Sequence, residues 1–411
     1  MGDSPLADGW PESESSFPDT LPFLEEDGIR EAASWTELTE EAISDCLEVG
    51  ALFRNDPNLE MLAWHAHRLI YRTESRPPIS KWPAHLPALD SLTGAFYLLI
   101  ALSGIDAMVR SHQAHGIPEA VSRLNCRDIH IWASEYHRLG EPLDHGFVHT
   151  FDPPRWGLHT RGFQWIAGSL VGRILRLNRL QFIHAPYRSA FRAYRHTESG
   201  RVQVVAEAGH RFTDAGWKAK DDDDTAWPSE FKETAEEIRA TPVRPTGHAQ
   251  QEPITLSMTE WQLILKPEDP ILEVHIPEDG RMGFDECGAS IQEAIRDFTT
   301  YFPEKTFKAV VCRSWLLDPQ YQDGMPRTSN IFRFQRECYL YPIGPGSGRS
   351  GFFRLFTHDD LATLPRDTVM RRTYLDLLEA GGLWRGGGMM LFPEDLDWGK
   401  RVYLEQHGLR P

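Results

Sequence analysis

The chain has 411 residues, 41% hydrophobic and 11% aromatic, enough to fill the cores of two or three domains. Its formal net charge is −17. That excludes a general nucleic-acid binder and disfavours an anionic membrane surface, since both need clustered lysine and arginine. One local basic pocket for a nucleotide-like ligand is still compatible with it.

The five cysteines (Cys46, Cys126, Cys287, Cys312 and Cys338) are widely spaced and form no C-x-x-C. This usage fits a reduced compartment, with neither a disulfide framework nor a zinc site. The N-terminus, MGDSPLADGWPESESSFPDT, is acidic and has no apolar core, so it does not read as a signal peptide. A cytoplasmic protein without a bound metal is expected.

Residues 1–25 are rich in Ser, Pro, Asp and Glu and are expected to be disordered. From 26 to 162 the apolar spacing is helical. NLEMLAWHAHRLIYRT places Leu59, Leu62, Ala66, Leu69 and Ile70 on one face. The apolar run Leu92–Ile105 is too short and too interrupted for a bilayer span, and reads as a buried core helix extending to Arg110. A further helix covers Cys126 to Gly140, where glycine ends it. His65 and His67 lie two apart on a helix and do not face each other, which argues against a metal site. The spacing therefore predicts an all-α domain.

The pattern then changes. A helix over about 163–175 gives way to extended runs at Leu180–Tyr187 and around Val202, Val204 and Ala206. Arg188, Arg192 and Arg195 cluster in YRSAFRAYRH; they either hold a phosphate or carboxylate or form a solvated face, and the second reading is favoured. Residues 216–252, with Asp221 to Asp224 in a row, read as an acidic insertion loop. Strands return at WQLILK and ILEVHIP, followed by a helix over 286–302 striped by Ile291, Ile295, Phe298 and Phe302. Strands are predicted over Phe307–Leu316, Ser329–Ile343 and Phe352–Phe356, and a helix over Arg371–Glu379. The fold class is α+β: a helical domain (26–162), then a mixed sheet covered by helices (163–345), with 346–411 as a C-terminal extension packed on it.

LRLNRLQF, PILEVHIPEDG, FKAVVCRSWLLDPQ, SNIFRFQREC and the tail LATLPRDTVMRRTYLDLLEAGG resemble a group of acyltransferase-domain proteins. That group has a helical N-acyltransferase N-terminal domain and a GNAT-like C-terminal domain. The resemblance implies that a fourth strand, Ile271–Ile276, and a fifth, Phe307–Trp315, splay apart around acyl-CoA. Val274 and Ile276 would flank the cofactor. Gly280, Arg281 and Gly283, in the loop before the next helix, would hold its pyrophosphate. Here the loop departs from the GNAT pattern: it reads Pro-Glu-Asp-Gly-Arg-Met-Gly, with acids at 278, 279, 285 and 286 that would repel a diphosphate.

Acyl transfer to an amine needs the thioester carbonyl polarised, the ammonium deprotonated and the thiolate protonated. Alternation puts Glu273 and His275 on one strand face, where either serves as general base; a merely polar, half-exposed face is the competing reading. Cys312 is a nucleophile or small core filler, and an apolar strand favours filler. Tyr321 lies about where the GNAT superfamily often places the tyrosine that protonates the leaving thiolate; the competing reading is a turn residue. The expected function is transfer of an acyl group from acetyl-CoA or another acyl-CoA to a small-molecule or peptide amine. The alternatives are a non-catalytic GNAT-like binding module that has lost its CoA site, and a transferase that uses another donor.

Overall fold

The computed structural model describes residues 4–143, 146–148, 154–345, 352, 354–356 and 361–409. The chain forms two compact units: Met1–Leu177 with Pro277–Asp279, and Asn178–Ile276 with Gly280–Pro411.

The first unit is built from α1 (Trp10–Ser15), α2 (Glu26–Ala33), α3 (Glu40–Arg54), α4 (Pro57–Tyr71), α5 (Thr93–Leu102), α6 (Ile105–Ala114), α7 (Glu119–Leu139) and α8 (Thr160–Leu170). Side chains set the starts: Thr39 accepts from the Ala42 N–H to cap α3, and Asp56 caps α4 ahead of Pro57. Every residue of α5 is buried, as a helix apolar all round requires. The stretch Asp90–Ala114 is long and apolar enough to cross a membrane, yet 72% of its window is buried inside the protein. It is also not the single helix expected. It breaks at Gly104, where an added Cβ would lie 2.3 Å from the Tyr71 ring.

Two expectations for this unit are corrected. Within the supposedly disordered tail, Leu6 and Ser13 are fully buried. His65 on α4 bonds Ser13 Oγ through Nδ1 and the Leu6 carbonyl through Nε2, each at 2.7 Å, and Arg68 Nη2 donates to the Gly9 carbonyl at 2.7 Å. Hydrogen bonds order a segment whose composition offers little apolar surface. The unit also runs past 162 to Leu177, because Phe163, Ile166, Ala167 and Leu170 of α8 belong to the same core as α3 to α5. A short hairpin, β1 (Glu141–Leu143) with β2 (Gly146–Val148), and the strand β3 (Ile174–Leu177) make it less than purely helical.

The second unit carries two sheets. One is antiparallel, in the order β11 (Ile254–Ser257), β10 (Glu237–Val243), β6 (Val202–Ala206), β5 (Phe191–His196), β12 (Trp261–Leu265). Small pieces accompany it: β7 (Arg211–Phe212) with β8 (Trp227–Pro228), and β9 (Phe231–Glu233) against β10. The acidic insertion expected over 216–252 is thus partly sheet. In β10, Ile238 and Ala240 are buried and alternate with exposed Glu237 and Arg239, a period-2 signal the flanking charges obscured.

The other sheet runs β15 (Tyr339–Ile343), β16 (Gly386–Leu391), β14 (Val310–Ser314), β13 (Pro270–His275), β4 (Leu180–Pro186). One face is covered by α9 (Phe284–Tyr301) through Cys287, Ile291, Ala294 and Phe298. The other buries Tyr187, Val204, Val311, Tyr339, Tyr341 and Met390 in one cluster. Three expectations fail here. Ser329–Ile343 is a helix, α11 (Asn330–Glu337), followed by β15, and buried Gln335 on that helix donates to the carbonyls of Leu316 and Asp318. Phe352, Arg354 and Leu355 are helical rather than extended. Gly386–Leu391 is no part of an appended extension but a strand inside the sheet, paired on both sides.

Candidate functional site

The site follows from one irregularity in strand pairing. β13 and β14 are parallel, with partners Leu272–Val310, Glu273–Val311 and Val274–Cys312, and there their pairing ends. β13 continues to pair with β4 through His275–Gln181, and β14 with β16 through Arg313–Gly388 and Ser314–Gly387. Each strand keeps its outer neighbour and loses the inner one. Beyond Val274 and Cys312 the two strands no longer pair with each other.

Ile271, Glu273 and His275 share one face of β13, and the pairing places Val311 and Arg313 on the same face of β14. A pocket of about 50 Å³ opens there, lined by Ala185, Pro186, Tyr187, Arg188, Ile271, Glu273, Val311 and Arg313. Burial raises the Glu273 pKa, and Arg313 and Arg188 partly oppose it. Burial lowers the pKa of His275 to about 4, so this imidazole is neutral at pH 7. Its Nε2 stands 4.0 Å from Glu273 Oε2, a gap that one water bridges better than a direct bond. A carboxylate made more basic by burial, beside a neutral imidazole, can accept a proton from an ammonium group.

The other expected residues are distributed as follows. Val274 is buried on the opposite face from Glu273, and Ile276 lies just past the end of β13. Gly280 and Arg281 are exposed in the following loop, and Gly283 opens α9 without a side-chain cap. Arg179 grips the loop by its carbonyls, donating from Nη2 to Gly280 at 2.7 Å and from Nε to Arg281 at 2.9 Å. The acids are less repulsive than their number suggests. Asp279 is neutralised by Arg176 Nη2 at 2.7 Å and Arg127 Nε at 3.2 Å, all within the first unit. The Glu286 carboxylate folds back over the start of α9, where a Cβ on Gly283 would lie 1.6 Å from its Oε2.

Tyr321 stands apart. It is buried in an aromatic cluster with Trp384, Tyr374, Phe352 and Phe356, and burial holds its pKa well above the ordinary phenol value. Cys312 is buried and its pKa is likewise raised by burial, which suits filler rather than a nucleophile. The arginine trio does not converge: Arg192 pairs with Glu207 and Glu233, Arg195 with Asp395 and Glu394, and only Arg188 reaches the pocket. Sequence reasoning missed Arg176, Arg179 and Arg313. The signal was present: three arginines within or beside otherwise apolar strands, where a long cation needs a dedicated partner.

The strand order, the parallel pair that parts, and the loop-to-helix step after β13 define a GNAT-like acyltransferase domain. The family model for the GNAT-like C-terminal domain matches residues 174–391, more than half of the chain, and that for the N-acyltransferase N-terminal domain matches residues 18–142. The chain belongs to this two-domain acyltransferase family. No curated protein sequence matches it. Three solved structures share its fold at 18% identity: an acyltransferase mutant in complex with octanoyl-CoA (TM-score 0.57, covering 89% of this chain and 88% of that one), an acyltransferase with decanoyl-CoA and teicoplanin (0.55, 89% and 87%), and an acyltransferase with CoA and 10C-teicoplanin (0.56, 89% and 87%).

Proposed function

We propose that this protein transfers an acyl group from acyl-CoA to the amine of a small molecule or peptide, in a reducing, cytoplasmic setting. The observation that carries the reading is the parting of β13 and β14 next to Glu273. The edges of two strands that stop pairing suit the amides of a pantetheine arm, which would lay the thioester beside the strand face that carries the base. The first turn of α9 and Arg281 would meet the pyrophosphate. Glu273 takes one proton from the ammonium, and the freed amine attacks the thioester carbonyl; the C–S bond breaks as the amide forms, and the second proton shed by the nitrogen passes to the leaving thiolate to give CoA. The fold-mates that carry octanoyl-CoA and decanoyl-CoA support this donor class. The five free, buried cysteines support the reducing setting.

Calorimetric titration with octanoyl-CoA tests the donor. Micromolar binding that weakens at least tenfold in Arg281→Glu is expected. Absence of heat and of thermal stabilisation at millimolar octanoyl-CoA would overturn the reading.

A further inference from the structure

In a chain of net charge −17, arginines readily find acids, and Arg192 and Arg195 on β5 each have two. Arg188 and Arg313 differ from that pair, and they share one pocket wall. Both are exposed, both line the pocket beside Glu273, and among the described residues no carboxylate lies within ion-pair distance of either. They are also tied to each other, since Arg313 Nη1 donates to the Arg188 carbonyl at 3.5 Å. Two neighbouring cations on one pocket wall repel each other unless an anion sits between them. Tyr187 also lines the pocket, with its hydroxyl buried close to Ser189 and Tyr341. Glu273 feels both guanidinium groups without forming an ion pair with either.

We infer that the acceptor carries a carboxylate within a few bonds of its reacting amine, held by Arg188 and Arg313, which makes it a substrate of the α-amino-acid class. The size of the pocket sets the separation. Its deep part, about 50 Å³, suits an amine near Glu273 and an anion against the arginines that belong to one compact group. A planar guanidinium matches a carboxylate in a two-bond fork. The anion also corrects the electrostatics of the base. Bound between the arginines, it cancels the charge that opposes protonation of Glu273, and so raises its proton affinity when the acceptor is in place.

This inference rests on the acyl-CoA-dependent reading, and the test separates the two. Full-length protein is supplied with octanoyl-CoA and, in turn, with the common α-amino acids and their C-terminal amides. Release of CoA is followed with a thiol reagent; the chain's own five cysteines are buried and contribute little background. At least one amino acid should exceed its amide in kcat/KM by about tenfold or more, the range for a charge-assisted hydrogen-bond pair. In Arg188→Gln/Arg313→Gln that preference should collapse toward unity, through KM, while the Kd for octanoyl-CoA stays the same. Amides that serve as well as acids, or an acid preference that survives in the double variant, would overturn the inference and leave the donor reading intact. So would a double variant that loses octanoyl-CoA affinity, which would assign the arginines to the donor's phosphates. If wild-type protein gives no heat with octanoyl-CoA, both readings fall together.

Discussion

Glu273 sits on the pocket wall with its side chain about a third exposed, wet enough to exchange a proton and dry enough to hold it. Its pKa is raised by burial, so the acid limb of kcat/KM should lie above the ordinary carboxylate range. Glu273→Gln removes the base and keeps the shape: turnover should fall by about 10²–10⁴ while octanoyl-CoA affinity holds. An unchanged rate would move the base elsewhere, with His275 the next candidate. Tyr321 makes the contrasting case. Its hydroxyl is buried beside Trp384 and makes no well-directed hydrogen bond, so Tyr321→Phe should leave kcat unchanged and stability within about 1 kcal/mol of wild type. A hundredfold loss of kcat would instead give the phenol a part in protonating the leaving thiolate.

At the scale of elements, β16 shows how packing overrides propensity. RGGGMML reads as a loop, since glycine weakens strands. In the folded protein a Cβ on Gly387 would lie 1.7 Å from the Leu317 carbonyl oxygen, and one on Gly388 2.0 Å from the Tyr341 ring. The glycines are what let a turn and a tyrosine lie flat on the strand. Gly387→Ala should therefore cost about 3 kcal/mol in chemical denaturation, since backbone has to move; a cost below about 1 kcal/mol would mean the turn after β14 yields easily. The start of α9 holds a second lesson. The Glu286 carboxylate folds over the start of the helix, where its charge suits the helix dipole and would oppose an anion. Glu286→Gln should tighten octanoyl-CoA binding several-fold, read by calorimetry. Weaker binding would mean the carboxylate helps to shape the loop.

At the scale of the whole molecule, pH acts through buried and half-buried histidines. Burial lowers His67, His112, His184 and His275 to about 4 in the folded protein, from the ordinary value near 6.5. Between those values the unfolded chain binds protons that the folded chain refuses. Stability from these groups is thus full above pH 6.5 and is lost as pH falls toward 4. Asp318, raised to about 6 by burial, acts in the opposite direction, because its folded form takes up a proton first. Glu141, raised to about 7 by burial, acts in the same direction as Asp318. Four groups against these two should give a falling melting temperature from pH 7 to pH 4, with a shallower slope in His67→Gln. A midpoint that stays flat or rises over that range would show that the carboxylates dominate.

How much of this was legible in advance varies with the range of the interaction. Element type was set locally: the apolar stripes of α4 and α9, the alternation in β13, and the Thr39 and Asp56 caps need only neighbours a few residues away. The partition into a helical part and a sheet part followed from those periods, as did the shared face of Glu273 and His275. Tertiary structure decided what depends on distant partners. It ordered the acidic N-terminus through His65 and Arg68, and it made a strand of three glycines by setting Tyr341 and Leu317 against them. It separated Arg192 and Arg195, which found acids, from Arg188 and Arg313, which did not, because an arginine's partner is fixed by the fold rather than by its place in the chain.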